Sequence, residues 1–130
     1  MASSPQNSEP ASGGLPDAVA EDLELYQEKF RRRLPDSLDE LHGPVRGVVE
    51  LPLHIAWSGM TAYDLGKPRQ RMGLYRTALH EGLREDLPQY LNRDLLLQMW
   101  PVLRTLVGRT VRSVWEDAFP ELATGSQAAA

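Results

Sequence analysis

Between Gly66 and Glu81 the chain carries Lys67, Arg69, Arg71, Arg76 and His80 with no acid among them, its densest run of bases. Cations grouped in this way bind phosphates, carboxylates or an acidic protein surface. On a helix turning 100° per residue, Arg69, Gly73, Arg76 and His80 share a sector roughly 60° wide, with Lys67 at its entrance. Gly73 at the centre of that face costs a helix up to about 1 kcal/mol relative to Ala. Its use therefore implies close approach by something. A phosphate or a foreign backbone would fit, as would a packed element of the same chain, which is the favoured reading. Arg71 projects instead from the apolar side and is expected to form a structural ion pair with Asp64, holding hairpin to helix.

The constellations that carry catalysis are missing from the sequence. It contains no G-x-S-x-G elbow, no P-loop and no G-x-G-x-x-G. His80-Glu81 starts like a zinc-protease helix, but Arg84 stands where the second His would be. His42, His54 and His80 fall in different elements. Adjacent acid pairs such as Glu85-Asp86 and Glu116-Asp117 diverge by about 100° on a helix and do not converge on one atom. There is no cysteine, which excludes disulfides and thiolate zinc sites. The expectation is no catalytic residue, no metal and no cofactor. The remaining enzymatic alternative is a small site at the hairpin–helix junction, built from Asp64, Arg71 and His80.

These residues must be positioned by a chain of 130 residues, which is enough for one ordinary domain. Residues 1–14 and 123–130 are small and polar, too poor in apolar groups to offset ordering entropy of roughly 1–2 kcal/mol per residue. They are expected to be disordered tails around one domain at 15–122. The net charge of −4 argues against nucleic-acid binding through overall charge. It is unevenly spread. Residues 21–42 hold four bases and seven acids, and residues 67–94 six bases and four acids, so any electrostatic site is local. No basic region followed by an apolar stretch opens the chain, and no run approaches the ~18 apolar residues that span a bilayer. No membrane association and a cytoplasmic location are the defaults.

The pattern predicts a mainly helical α+β fold, about five helices packed with one β-hairpin. Val19, Leu23, Tyr26, Phe30 and Leu34 lie on one stripe, giving a helix over 17–34 that Pro35 stops. Its acids come early and Arg31, Arg32 and Arg33 late, as the helix dipole favours. Ser37 and Glu40 have capping-box spacing. From 47 to 57 the period changes to two, with Val49, Leu51, Leu53, Ile55 and Trp57 on one face. Pro52 demotes that strand to an edge or puts a bulge there. Ser58-Gly59 turns the chain into a second short strand near 61–65. A helix follows over Pro68–Glu81, stopped by Gly82, then short helices at 83–91 and 93–100. Pro101 is expected to break or kink the latter, and the final helix to run over 102–119.

Arg104, Arg109 and Arg112 make a second basic patch, ranked below the first because Arg112 and Glu116 are spaced for an ordinary i, i+4 ion pair. Trp57, Trp100 and Trp115 read as core or rim residues. An exposed Trp57 would instead be a good interface anchor.

Short motifs add a resemblance. Trp57-Ser58-Gly59, Tyr63-Asp64-Leu65, Pro68-Arg69-Gln70-Arg71, Tyr75, Glu81-Gly82 and Met99-Trp100-Pro101-Val102 resemble those of a family of small bacterial proteins with no assigned activity. The likeness spans residues 47–122. It implies a bacterial, cytoplasmic, single-domain protein with a regulatory or partner-binding role, and supplies no catalytic residue. Taken with the residues themselves, the expected function is a non-enzymatic protein-interaction or regulatory module. It would dock a protein partner, or a second copy, through the hairpin edge and the Lys67, Arg69, Gly73, Arg76, His80 face. Nucleic acid at the same face is the alternative.

Overall fold

The computed structural model describes residues 17–57 and 59–123. The expected tail at 1–14, the expected tail at 123–130 save for Ala123, and Ser58 of the expected turn lie outside the described residues. The elements in chain order are α1 (Asp17–Arg31), a 3₁₀ turn (Leu38–Glu40), β1 (Val48–Glu50), β2 (Ala62–Asp64), α2 (Pro68–Glu81), α3 (Leu87–Tyr90), α4 (Arg93–Leu106) and α5 (Arg109–Ala118). The fold is mainly helical α+β with an antiparallel hairpin, as the patterning predicts.

α2 is the pivot, packing on β2, α3 and α4, while α1 packs on α5. Pro68 opens α2 at its first position, where a missing N–H costs nothing. Leu74, Tyr75, Ala78 and Leu79 carry it into the core. At Gly82 a Cβ would sit 2.7 Å from the Ala78 carbonyl oxygen and 2.9 Å from Leu87 Cδ2, so no side chain fits where the chain leaves α2. Trp100, Trp115, Tyr75 and Leu103 fill the centre of one apolar cluster that runs from Phe30 to Leu122. No helix among the described residues is long and apolar enough to cross a membrane.

α1 ends earlier than its periodicity predicts. Arg33 N–H turns back to the Phe30 carbonyl and Leu34 N–H to that of Arg31, because the residue before Pro35 is pushed out of helical backbone. Of the stripe, Phe30 is buried and Leu34 packs on the core. Val19, Leu23 and Tyr26 remain largely exposed.

The hairpin is much shorter than expected. Val48 pairs with Asp64, Val49 with Tyr63 and Glu50 with Ala62. Beyond Leu51, whose N–H bonds the Thr61 carbonyl, the chain leaves the sheet. The Pro52 carbonyl accepts the N–H groups of Ile55 and Ala56, both at 3.0 Å. Pro52 thus ends the strand and starts a turn, and the alternation over 47–57 fails at that residue. Ile55 and Ala56 fold inward, whereas Leu53 and Trp57 face solvent.

α4 runs through Pro101 instead of breaking there. One lost N–H donor is tolerable where Leu96, Met99, Trp100 and Leu103 all bury. The break falls at Val107 and Gly108, both extended, and α5 starts from Gly108. The final helix predicted over 102–119 is therefore the end of α4 plus α5.

Candidate functional site

The basic face of α2 splits on inspection. Arg76 Nε donates to the Leu106 carbonyl, 3.1 Å away at the end of α4. His80 Nδ1 lies 2.8 Å from the Arg76 carbonyl, and His80 Nε2 accepts the Gly108 N–H at 3.2 Å. An acceptor Nε2 requires the proton on Nδ1, so His80 stands as the neutral Nδ1–H tautomer. Both side chains thereby satisfy backbone groups that the α4–α5 corner leaves open. His80 is part of the corner and is not a free cation. Arg76 is exposed, and its two Nη groups make no bond among the described residues. Lys67 and Arg69 are exposed and likewise form no ion pair among the described residues. Gly73 sits under Tyr63. A Cβ there would meet the Tyr63 ring at 3.4 Å, so the close neighbour is the chain's own hairpin.

The ion pair expected between Asp64 and Arg71 is not formed. Asp64 Oδ1 accepts the Gly66 N–H at 2.9 Å, closing the turn before α2. Arg71 Nη1 reaches the Leu65 carbonyl at 3.4 Å, and its Nε is buried with no hydrogen-bond partner. Arg71 does bind hairpin to helix, but through a backbone carbonyl. Asp64, Arg71 and His80 are thus engaged at three separate places, and the enzymatic site imagined from them does not assemble. Among the described residues no three His, Asp or Glu side chains converge in a metal-holding group.

What surrounds α2 is a groove. Its volume is about 340 Å³, and it lies between the β1–β2 connection and the outer side of α2. Trp57 and Met60 come from the β1–β2 connection, Arg76, Thr77, His80 and Glu81 from α2, and Tyr63 of β2 lines it as well. A second, shallower groove of about 520 Å³ continues along α2 past Arg69 and Gly73 to Thr105 and Leu106 of α4. Arg76 borders both, so the hairpin connection and the basic face form one continuous exposed surface. Trp57 is 69% exposed and Met60 49%. Leu53, in the same connection, is 77% exposed. Single exposed apolar residues are ordinary. A Trp, a Met and a Leu exposed on one eleven-residue connection, the first two sharing a groove with Arg76, have the composition of an interface core.

Two further polar clusters are structural. His54 Nε2 lies 2.7 Å from Asp86 Oδ2, which also accepts the Leu83 N–H at 2.9 Å. Asp86 is the one charged residue in the buried set. It ties the β1–β2 connection to the turn after α2. In the second patch, Glu116 pairs with Arg104 at 2.7 Å and accepts the indole N–H of fully buried Trp100 at 2.8 Å. The Arg104 bond holds the Glu116 carboxyl below the usual carboxylate range, against the opposing effect of burial, and raises Arg104 in turn. Arg112 acts on Glu116 only at longer range, so the expected i, i+4 pair is replaced by a cross-helix one.

No family model matches the chain, and no curated protein or solved structure matches it.

Proposed function

We propose that the protein is a non-enzymatic interaction module that docks an acidic segment carrying a large apolar anchor. The observation that carries this reading is Trp57, 69% exposed on the rim of a groove whose opposite bank holds Arg76. Trp57 and Met60 provide apolar contact, and positive charge comes from Arg76 in the groove, Arg69 in the second groove and Lys67 at the start of α2. Aromatic and arginine residues are those that dominate binding energy at protein interfaces.

The docking surface moves from the strand edge to the β1–β2 connection and α2. The outer N–H and C=O groups of Val48 and Glu50 do point away from β2, given the bonds made by Gly47 and Leu51. An edge of three residues offers too few such bonds for strand addition to carry the affinity. Nucleic acid fits less well. His80 is taken up by the Arg76 carbonyl and the Gly108 N–H, and three cations are few for the electrostatic term that nucleic-acid affinity rests on.

Selection of a displayed random-peptide library on the intact protein tests the reading. Recovered peptides should be rich in Asp and Glu around one Leu, Phe, Trp or Met, and Trp57→Ala and Arg69→Glu should each abolish recovery. Peptides without acidic bias, or recovery insensitive to both substitutions, would overturn it.

A further inference from the structure

The outer face of α1 has the chemistry that the groove lacks. At 100° per residue, Leu25 lies about 130° from the stripe formed by Val19, Leu23, Tyr26 and Phe30, on the side where Glu21, Glu24 and Glu28 emerge. Leu25 is 69% exposed, the most exposed apolar residue of the helix, and it shares a shallow depression with those three glutamates. Glu28 is already paired with Arg31 at 3.6 Å and Arg32 at 3.5 Å. Glu21 and Glu24 form no ion pair among the described residues. One protein thus presents a leucine beside two such glutamates, and elsewhere a groove with Trp57 and Met60 on one side and Arg76 on the other.

The end of α1 lies against α2. Arg33, just past the end of α1, donates through Nη1 to the His80 carbonyl at 2.9 Å, so α1 ends against the part of α2 that closes the groove. A helix cannot fold back into a groove that its own C-terminus abuts. A second copy can reach it.

Resting on the docking function above, we infer that the occupant of the groove is α1 of a second copy of this chain, in a twofold dimer. Leu25 of each copy seats beside Trp57 and Met60 of the other, and Glu21 and Glu24 face Arg69 and Arg76. Each contact is made twice, as twofold symmetry requires. The dimer covers the exposed Trp57 and Leu25 together.

Sedimentation equilibrium of the full chain over a wide concentration range tests this. The wild type should associate to twice its chain mass. Arg69→Glu alone and Glu24→Arg alone should each weaken association by tenfold or more, because each brings like charges together at both contacts. Mixing the two variants should restore the dimer, since every contact in the mixed pair again joins opposite charges. Both sites are on the surface, and unchanged circular dichroism of each variant verifies folding. A wild type that stays monomeric, or a dimer untouched by either variant, or no recovery on mixing, would overturn the inference. A monomer that still selects acidic peptides through Trp57 would leave the docking function standing with another occupant. A monomer that selects none would remove both.

Discussion

His80 Nε2 accepts the backbone N–H of Gly108 at 3.2 Å, and through this bond α2 caps the start of α5. The same imidazole is fixed from behind by the Arg76 carbonyl, while Arg76 reaches the last carbonyl of α4. Two neighbours on one face of α2 therefore hold the corner between two other helices. His80→Phe should cost about 1 kcal/mol of stability, the size of a lost hydrogen bond, and His80→Gln should recover part of it. Urea unfolding measures both. Equal stability of all three proteins would show that the corner holds without the cap.

Glu116 joins α5 to α4 through Arg104 and the buried indole of Trp100. Glu116→Ala should cost about 1–3 kcal/mol, because a buried N–H loses its acceptor. Glu116→Gln, which can still accept, should cost less. The carboxyl is held below its ordinary range by Arg104, so its stabilisation is present above the unfolded value and is lost as pH falls through the folded one. Urea midpoints followed downward in pH should therefore drop more steeply for the wild type than for Glu116→Gln below the usual carboxylate range. Parallel curves would contradict this.

Tyr75 shows the opposite sign. Burial pushes its phenol from 10.0 up to about 12, outweighing the Asn92 N–H that its oxygen accepts at 2.8 Å and the nearby charge of Arg71. Stability from the neutral phenol is fully present below the unfolded value and is lost as pH rises towards the folded one. Alkaline unfolding should start above pH 10, with a loss of about 2–3 kcal/mol by pH 12. Tyr75→Phe should flatten that limb while losing about 1–3 kcal/mol at neutral pH, because the Asn92 N–H is orphaned. A wild-type curve that stays level past pH 10 would contradict the assignment.

Two glycines should behave in opposite ways. A Cβ at Gly43 would stand 2.6 Å from the Tyr90 carbonyl carbon, where Gly43 N–H bonds Leu91 O at 2.7 Å. Gly43→Ala should cost about 1–3 kcal/mol through forced backbone movement. A Cβ at Gly73 meets only the Tyr63 ring at ordinary contact distance. Gly73→Ala should be neutral or gain up to about 1 kcal/mol from helix propensity. Thermal melts of the pair decide this, and destabilisation by Gly73→Ala would reinstate a need for glycine on the basic face.

How far the sequence could be read depends on whether the deciding force was local. α2 begins and ends where Pro68 and Gly82 put it, since a missing N–H and a space too small for any Cβ act on the spot. Asn92 caps α4 as its type implies, accepting the N–H groups of Asp94 and Leu95. Pro52 and Pro101 mislead in opposite directions. At Pro52 the alternating pattern continued on paper, yet the missing donor ended the strand. At Pro101 tertiary burial of Trp100 and Leu103 carried the helix through. The basic face was legible as a face, but the use of Arg76 and His80 depends on backbone groups of Leu106 and Gly108, some thirty residues away. The Asp86–His54 tie is likewise long-range. Trp57 could have been placed outside the sheet by taking Pro52 at its word.

The docking groove is tested most directly at Trp57. Of the three tryptophans, it alone is exposed, while Trp100 and Trp115 are buried. The intact protein labelled with fluorotryptophan gives one fluorine resonance for each, and Trp57→Phe assigns the exposed one. Titration with a peptide carrying a single leucine flanked by glutamates should move the Trp57 resonance to saturation and leave the other two in place. Arg69→Glu should abolish the movement. A Trp57 resonance that does not respond, or a response that survives Arg69→Glu, would contradict the account.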